Sequence, residues 1–178
     1  MAKTGVKTGL TPSRLLGSGV NNVALEEHPI ANQLAETINL GDPVKLAADG
    51  TIVKATNGDP AVGVFLGAII TNSSGHPVDV DTWVSGTDSE SAPVAKVLTD
   101  PAATFTVKAD GDISAVEPGD IMIYDFNTSS AKFGRSAGTV QAIPGDSLTG
   151  MLRVRKIIDL GENALEVSFA KHEYRDNA

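Results

Sequence analysis

Turn signals punctuate this chain from Ile38 to its end. They fall at Gly41-Asp42-Pro43, Asp49-Gly50, Asn57-Gly58-Asp59, Ser73-Ser74-Gly75, Ser85-Gly86-Thr87-Asp88, Asp100-Pro101, Asp110-Gly111-Asp112, Pro118-Gly119-Asp120 and Pro144-Gly145-Asp146. Their spacing, roughly 8–12 residues, is that of all-β sandwiches and barrels. Between them lie short runs rich in Val, Ile, Thr and Phe: "AVGVFLGAII", "VDVDTWV", "ATFTV", "DIMIY", "LRVRKII" and "LEVSF". Branched and aromatic side chains suit a pleated surface. No run after residue 38 carries a helical period, so nothing supplies the crossovers of parallel βαβ units. The expectation is all-β, an antiparallel β-barrel or sandwich.

Two of these signals belong to an internal repeat. "ADGTIVKATNGD" (48–59) and "ADGDISAVEPGD" (109–120) agree without a gap at Ala, Asp, Gly, Ile, Gly and Asp. Asp49-Gly50 can supply both positive-φ positions of a type I′ turn, which matches strand twist. That turn would pair Ala48 with Thr51, Leu46 with Val53 and Val44 with Ala55, and would set Lys45 opposite Lys54. In both copies Gly-Asp then leads into an apolar run. The shared unit reads strand, Asp-Gly turn, strand, Gly-Asp turn, strand. Asp49, Gly50, Gly58, Asp59, Asp110, Gly111, Gly119 and Asp120 are therefore structural turn residues.

Residues 1–37 differ in texture. The first 22 are rich in Gly, Thr and Ser and hold no sustained apolar period, so they read as an extended arm. "HPIANQLAETI" (28–38) is the one helix candidate, with Pro29 in a first turn and Ile30, Leu34 and Ile38 four apart. The division is an arm over 1–37, with at most one short helix, and a β domain over 38–178. Charge divides similarly. The chain is −8 overall, yet Lys3, Lys7 and Arg14 precede every one of its 22 acidic residues. A basic arm on an acidic body suggests docking, with Val6, Leu10, Leu15, Leu16 and Val20 burying against a neighbouring subunit. The acidic body argues against wrapping nucleic acid.

Other chemistry is weakly encoded. The chain has no cysteine, which removes disulfides and thiolate chemistry. Its longest apolar run is far below the ~18 residues that suggest a membrane helix, and the N-terminus lacks the apolar core of a secretory signal. Asn72 and Asn127 fit the glycosylation pattern but read as turns. "DGD" at 110–112 is not an EF-hand, because position five is Ser114, position six Ala115 and position twelve Ile121. "GRSAG" (134–138) matches a nucleophile elbow, and Asp159 and His172 follow in triad order. The elbow needs a buried strand before Ser136 and a helix after it. "NTSSAK" and "TVQAIPGD" supply neither, so Gly134 and Gly138 read as loop bends. His28, His76 and His172 read as surface or interface residues, and Trp83 as a core residue. No metal, cofactor or catalytic residue is expected.

The order of these motifs resembles small capsid decoration, or cement, proteins of tailed bacteriophages. The likeness rests on Gly41-Asp42-Pro43-Val44, Gly63-Val64-Phe65 with Gly67, Trp83, Asp100-Pro101 with Phe105 and Val107, Asp110-Gly111, and Phe169 with His172. It covers roughly residues 38–174, leaving the arm without a counterpart. The resemblance implies a non-enzymatic virion protein, bound outside a lattice of major capsid protein and assembled with other copies of itself. The acidic body and the short apolar runs leave no nucleic acid or membrane partner expected. The rival reading is a head-fibre or adhesin module with an exposed aromatic platform for a host glycan.

Overall fold

A computed structural model describes residues 9–15, 24–31, 36–84, 93–126, 136, 138–141, 150–159 and 161–173. Among them the chain forms strands and turns and no helix. The strands are β1 (Thr11–Leu15), β2 (Leu25–Pro29), β3 (Thr37–Asn39), β4 (Pro43–Leu46), β5 (Ile52–Lys54), β6 (Gly63–Thr71), β7 (Pro77–Val80) and β8 (Thr82–Val84). They continue with β9 (Val94–Leu98), β10 (Ala103–Asp110), β11 (Ile121–Met122), β12 (Tyr124–Asp125), β13 (Thr139–Gln141), β14 (Leu152–Asp159) and β15 (Ala164–Phe169).

The first sheet runs β11-β14-β15-β10-β13-β12, with β1 also on β10. Its two end strands are separated by Ile123 alone, so the sheet curls back on itself as a barrel. All its pairings are antiparallel except β10 with β13. The second sheet runs β2-β9-β6-β4-β5, with β7 also on β6. A parallel bridge from Ile30 to Ile52 draws its outer strands together. β3 and β8 form a separate pair.

Two cores result, and the second sheet lies between them. Val64 and Leu98 enter the core of the first barrel with Phe105, Val107, Tyr124, Leu152, Val167 and Phe169. Their neighbours Phe65 and Val97 point the other way, joining Ile38, Val44, Ile52 and Trp83. A strand buried on both faces reads as a continuous apolar run instead of an alternation. That is why "AVGVFLGAII" lacks period two.

Three expectations change. The helix proposed for 28–38 is absent at its described ends, because His28 and Pro29 belong to β2, Ile30 to the bridge, and Thr37 and Ile38 to β3; residues 32–35 lie outside the described set. Extended pairing along β9 and β8 overrides a weak local helical period. The arm is extended where it is described, but it lies on its own body. Thr11–Leu15 pairs antiparallel with Ala103–Thr106 of the same chain, and Leu10 is 2% exposed within the first core. Finally, the hairpin at Gly50 is shifted by one residue, with Val44 opposite Lys54, Lys45 opposite Val53 and Leu46 opposite Ile52. Only Gly50 takes positive φ, at 79°, and its N–H bonds the Ala47 carbonyl at 2.9 Å. A three-residue loop with one left-handed glycine replaces the two-residue type I′ turn. This separates Lys45 from Lys54.

Candidate functional site

Three turns between strands are built alike, at 39–42, 56–59 and 117–120. In each, the final Asp donates its backbone N–H to the first residue's carbonyl, at 2.9, 3.0 and 3.1 Å respectively. In each, that Asp also accepts the first residue's N–H through Oδ2, at 2.9 Å. The glycine before it has φ of 93°, 94° or 107°. Positive φ at the third position defines a type II turn and favours glycine, while the carboxylate satisfies an N–H that no strand reaches. Gly58-Asp59 and Gly119-Asp120 thus share one geometry, and Gly41-Asp42 is a third copy. The repeat holds less well upstream. Gly111 has φ of 98°, but residues 111–120 carry no strand, and Val116 N–H bonds Ile113 O in another turn.

The carboxylates of these turns are engaged locally. Asp49 accepts the Thr51 hydroxyl and amide, and these bonds hold its pKa below the usual carboxylate value. Asp112 accepts the amide and hydroxyl of Ser114 with the same effect. Burial pushes Asp59 up, but Lys45 at 2.8 Å and the hydroxyl and amide of Thr56 outweigh this and hold it at about 2. Asn72 closes its own turn by accepting Ser74 and His76 amides. Asp110 and Gly111 are exposed at the end of β10. Among the described residues, no three His, Cys, Asp or Glu gather as a metal site.

Asp42 differs from the others in depth. Its side chain is 1% exposed, and Oδ2 receives the Lys54 ammonium at 3.0 Å as well as the Asn39 amide. Oδ1 has no protein donor. Lys54 is itself only 16% exposed and lies 5.7 Å from the Phe126 ring centroid. The shifted hairpin register creates this pair, because Lys54 falls on the face of Val44 and Ile52 instead of the wet face.

Ser136 is 1% exposed. Its Oγ accepts the Gly138 amide at 3.0 Å and shares a 3.1 Å hydrogen bond with the Tyr124 hydroxyl. A Cβ on Gly138 would stand 2.0 Å from that hydroxyl oxygen, so only glycine fits. Burial, then the charge of Asp42, pushes the Tyr124 phenol well above its usual range despite the Ser136 bond. The group stays protonated. The serine also lies at a junction: its amide bonds Leu40 O, and Gly9 N–H bonds Gly138 O. Ser136 therefore joins the start of β1, the 39–42 turn and the approach to β13. That is a packing role, and a strand, β13, begins three residues after Ser136, where an elbow would start its helix.

The remaining sequence candidates separate. Trp83 is fully buried, opposite Ile38, and offers no exposed platform. His172 is a correction: it is 2% exposed and stands edge-on to Phe169 at 6.0 Å, where the sequence suggested a surface or interface residue. His28 lies 3.2 Å from Glu26, and His76 is exposed. Of the proposed arm residues, Leu10 is a core residue, and Arg14 and Leu15 occupy β1 opposite Thr104 and Ala103. Lys3, Val6, Lys7, Leu16 and Val20 lie outside the described residues, as do Gly134 and Asn127. The sequence reading passed over the Asp42–Lys54 pair and the Tyr124–Ser136 contact. The signal for the first was present in "GDP", which repeats the Gly-Asp of the two recognised turns. No described helix is long and apolar enough to cross a membrane.

Compared with known proteins, the chain matches no family model, no curated protein and no solved structure. The structure by itself defines an all-β protein with a barrel-like sheet.

Proposed function

We propose that this chain is a structural virion protein that binds the outside of a tailed-phage capsid and bridges neighbouring major capsid protein subunits. The carrying observation is the role of the residues on which the family resemblance rests. Val44, Phe65, Trp83, Phe105, Val107 and Phe169 are all core residues, and Gly41-Asp42 forms a capped turn. The motif order is thus a set of folding determinants spread along the body, which is what a shared fold requires. A second support is that the triad-like Ser136 and the turn carboxylates already serve packing and turns. The mechanism is additive: each copy adds buried area across a joint between capsid subunits, and stable interfaces commonly bury about 1,600 Å². The glycan-binding alternative needs an exposed aromatic platform, and Trp83 does not supply one.

The test is cosedimentation of the purified chain with capsids of the encoding phage from which it has been removed. Saturable binding, and density for the chain over capsid subunit joints by cryo-electron microscopy, are expected. Capsids that stay bare at saturating protein would overturn the reading.

A further inference from the structure

Strand β14 turns more cations outward than its alternation allows. Leu152 and Val154 face the core, and Arg153 faces out. The register then slips between Val154 and Lys156, and again between Ile157 and Asp159. Each slip is a bulge, which re-aims side chains. As a result Arg155, Lys156 and Ile158 are all exposed, and Ile158 is 46% so. Two strands away on the same outer face, Lys108 is exposed on β10 between the buried Val107 and Ala109.

These cations differ from those of the second sheet. Lys45, Lys54 and Lys96 are ion-paired with Asp59, Asp42 and Asp79. Among the described residues, Lys108, Arg153 and Lys156 form no ion pair, although Lys156 stands opposite Glu166. Among the described residues Arg155 donates to the Ser168 hydroxyl, at 2.7 Å. A protein of charge −8 thus exposes four cations and an isoleucine on β14 and β10, with Glu166 opposite Lys156 as the acid between them.

The same chain carries a complementary feature. Among the described residues, strand β2 ladders only with β9, with the Ile30–Ile52 bridge just past its end, and Leu25, Glu27 and Pro29 are exposed along it. Leu25, at 49%, and Ile158 are the two most exposed large hydrophobic side chains among the described residues. Glu27 stands opposite Lys96, whose ammonium is held by Asp79, and forms no ion pair among the described residues. One apolar residue is therefore flanked by bases and the other by an acid.

We propose that the outer face bearing Lys108, Arg153, Arg155, Lys156 and Ile158 docks the β2 edge, Leu25, Glu27 and Pro29, of a second copy. The contact is head-to-tail, so it propagates into rings or rows. Acidic bodies repel one another in general, and this pairing is the orientation in which opposite charges meet. The contact stands apart from the capsid reading, and its test uses no capsid.

The experiment is sedimentation velocity of the full chain over a range of concentrations. The wild type self-associates at low salt, and the association weakens about tenfold or more at high salt. The double variant Arg153→Glu/Lys156→Glu and the single variant Glu27→Arg each lose about tenfold in association, with unchanged circular dichroism and melting. An equimolar mixture of the two associates again, because the reversed face of one meets the reversed edge of the other. Ile158→Ser weakens association without removing its salt dependence. A wild type that remains monomeric at low salt, either charge variant behaving as wild type, or a mixture that stays monomeric overturns the proposal.

Discussion

Removing Asp42 should cost more than any other single carboxylate in the described chain. In Asp42→Ala the Lys54 ammonium, 16% exposed, loses the one anion that it pairs with among the described residues. Truncating one member of a buried pair typically costs about 3–5 kcal/mol, because the partner's charge is left uncompensated. Lys54 retains some access to water, which places the loss near the lower end. The Asn39 amide also loses its acceptor, adding about 1 kcal/mol. The expected total is about 3–4 kcal/mol. Lys54→Met leaves the Asp42 carboxylate, 1% exposed, without a cation, and should cost about as much. The double variant Asp42→Ala/Lys54→Met has no buried charge, and a methionine can lie against Phe126. It should cost at least 2 kcal/mol less than the sum of the single variants, the signature of two residues acting as one unit. Urea unfolding followed by circular dichroism measures all four proteins, with unchanged slope as the condition for comparing them. Strict additivity, or a loss below about 1 kcal/mol in Asp42→Ala, would refute the buried-pair argument.

Three further outcomes follow from the same geometry. Gly119→Val forces a branched residue into φ of 107° and should destabilise by about 1–3 kcal/mol; thermal melting checks this, and Gly119→Asn should recover part of the loss. Asp59, held at about 2 against an ordinary 3.8, contributes stability that is present above about pH 4 and lost as pH falls through about 2. With its side chain 28% exposed, that contribution is about 1 kcal/mol after screening, so wild type and Lys45→Ala should differ at pH 6 and converge near pH 2 in urea titrations. Deleting residues 1–15 removes β1 and the buried Leu10, and should lower the melting temperature markedly; a truncated chain as stable as the full one would show that β1 is dispensable.

The all-β class was legible in the sequence because turn chemistry is local. A glycine at positive φ and an aspartate three residues from the amide it caps need only their own neighbours, and Gly58-Asp59 and Gly119-Asp120 announce themselves. The core was legible for a related reason: Phe65, Trp83 and Phe105 are too large and apolar to leave in water. Three-dimensional structure decided the rest, because it depends on what lies across a ladder. The Gly50 hairpin could close with either register, and a one-residue slip moves side chains to the opposite face; the register found places Lys54 against Asp42. Thr11–Leu15 has the composition of a loose terminus, and only the open edge of β10 makes it a strand. Ser136 sits in a sequence that mimics a nucleophile elbow, yet burial beside Tyr124 and Gly138 makes it a packing residue. Two bulges in β14, invisible in "LRVRKII", decide which charges face outward. In each case the local sequence permits several conformations of similar energy, and contacts with distant segments select one.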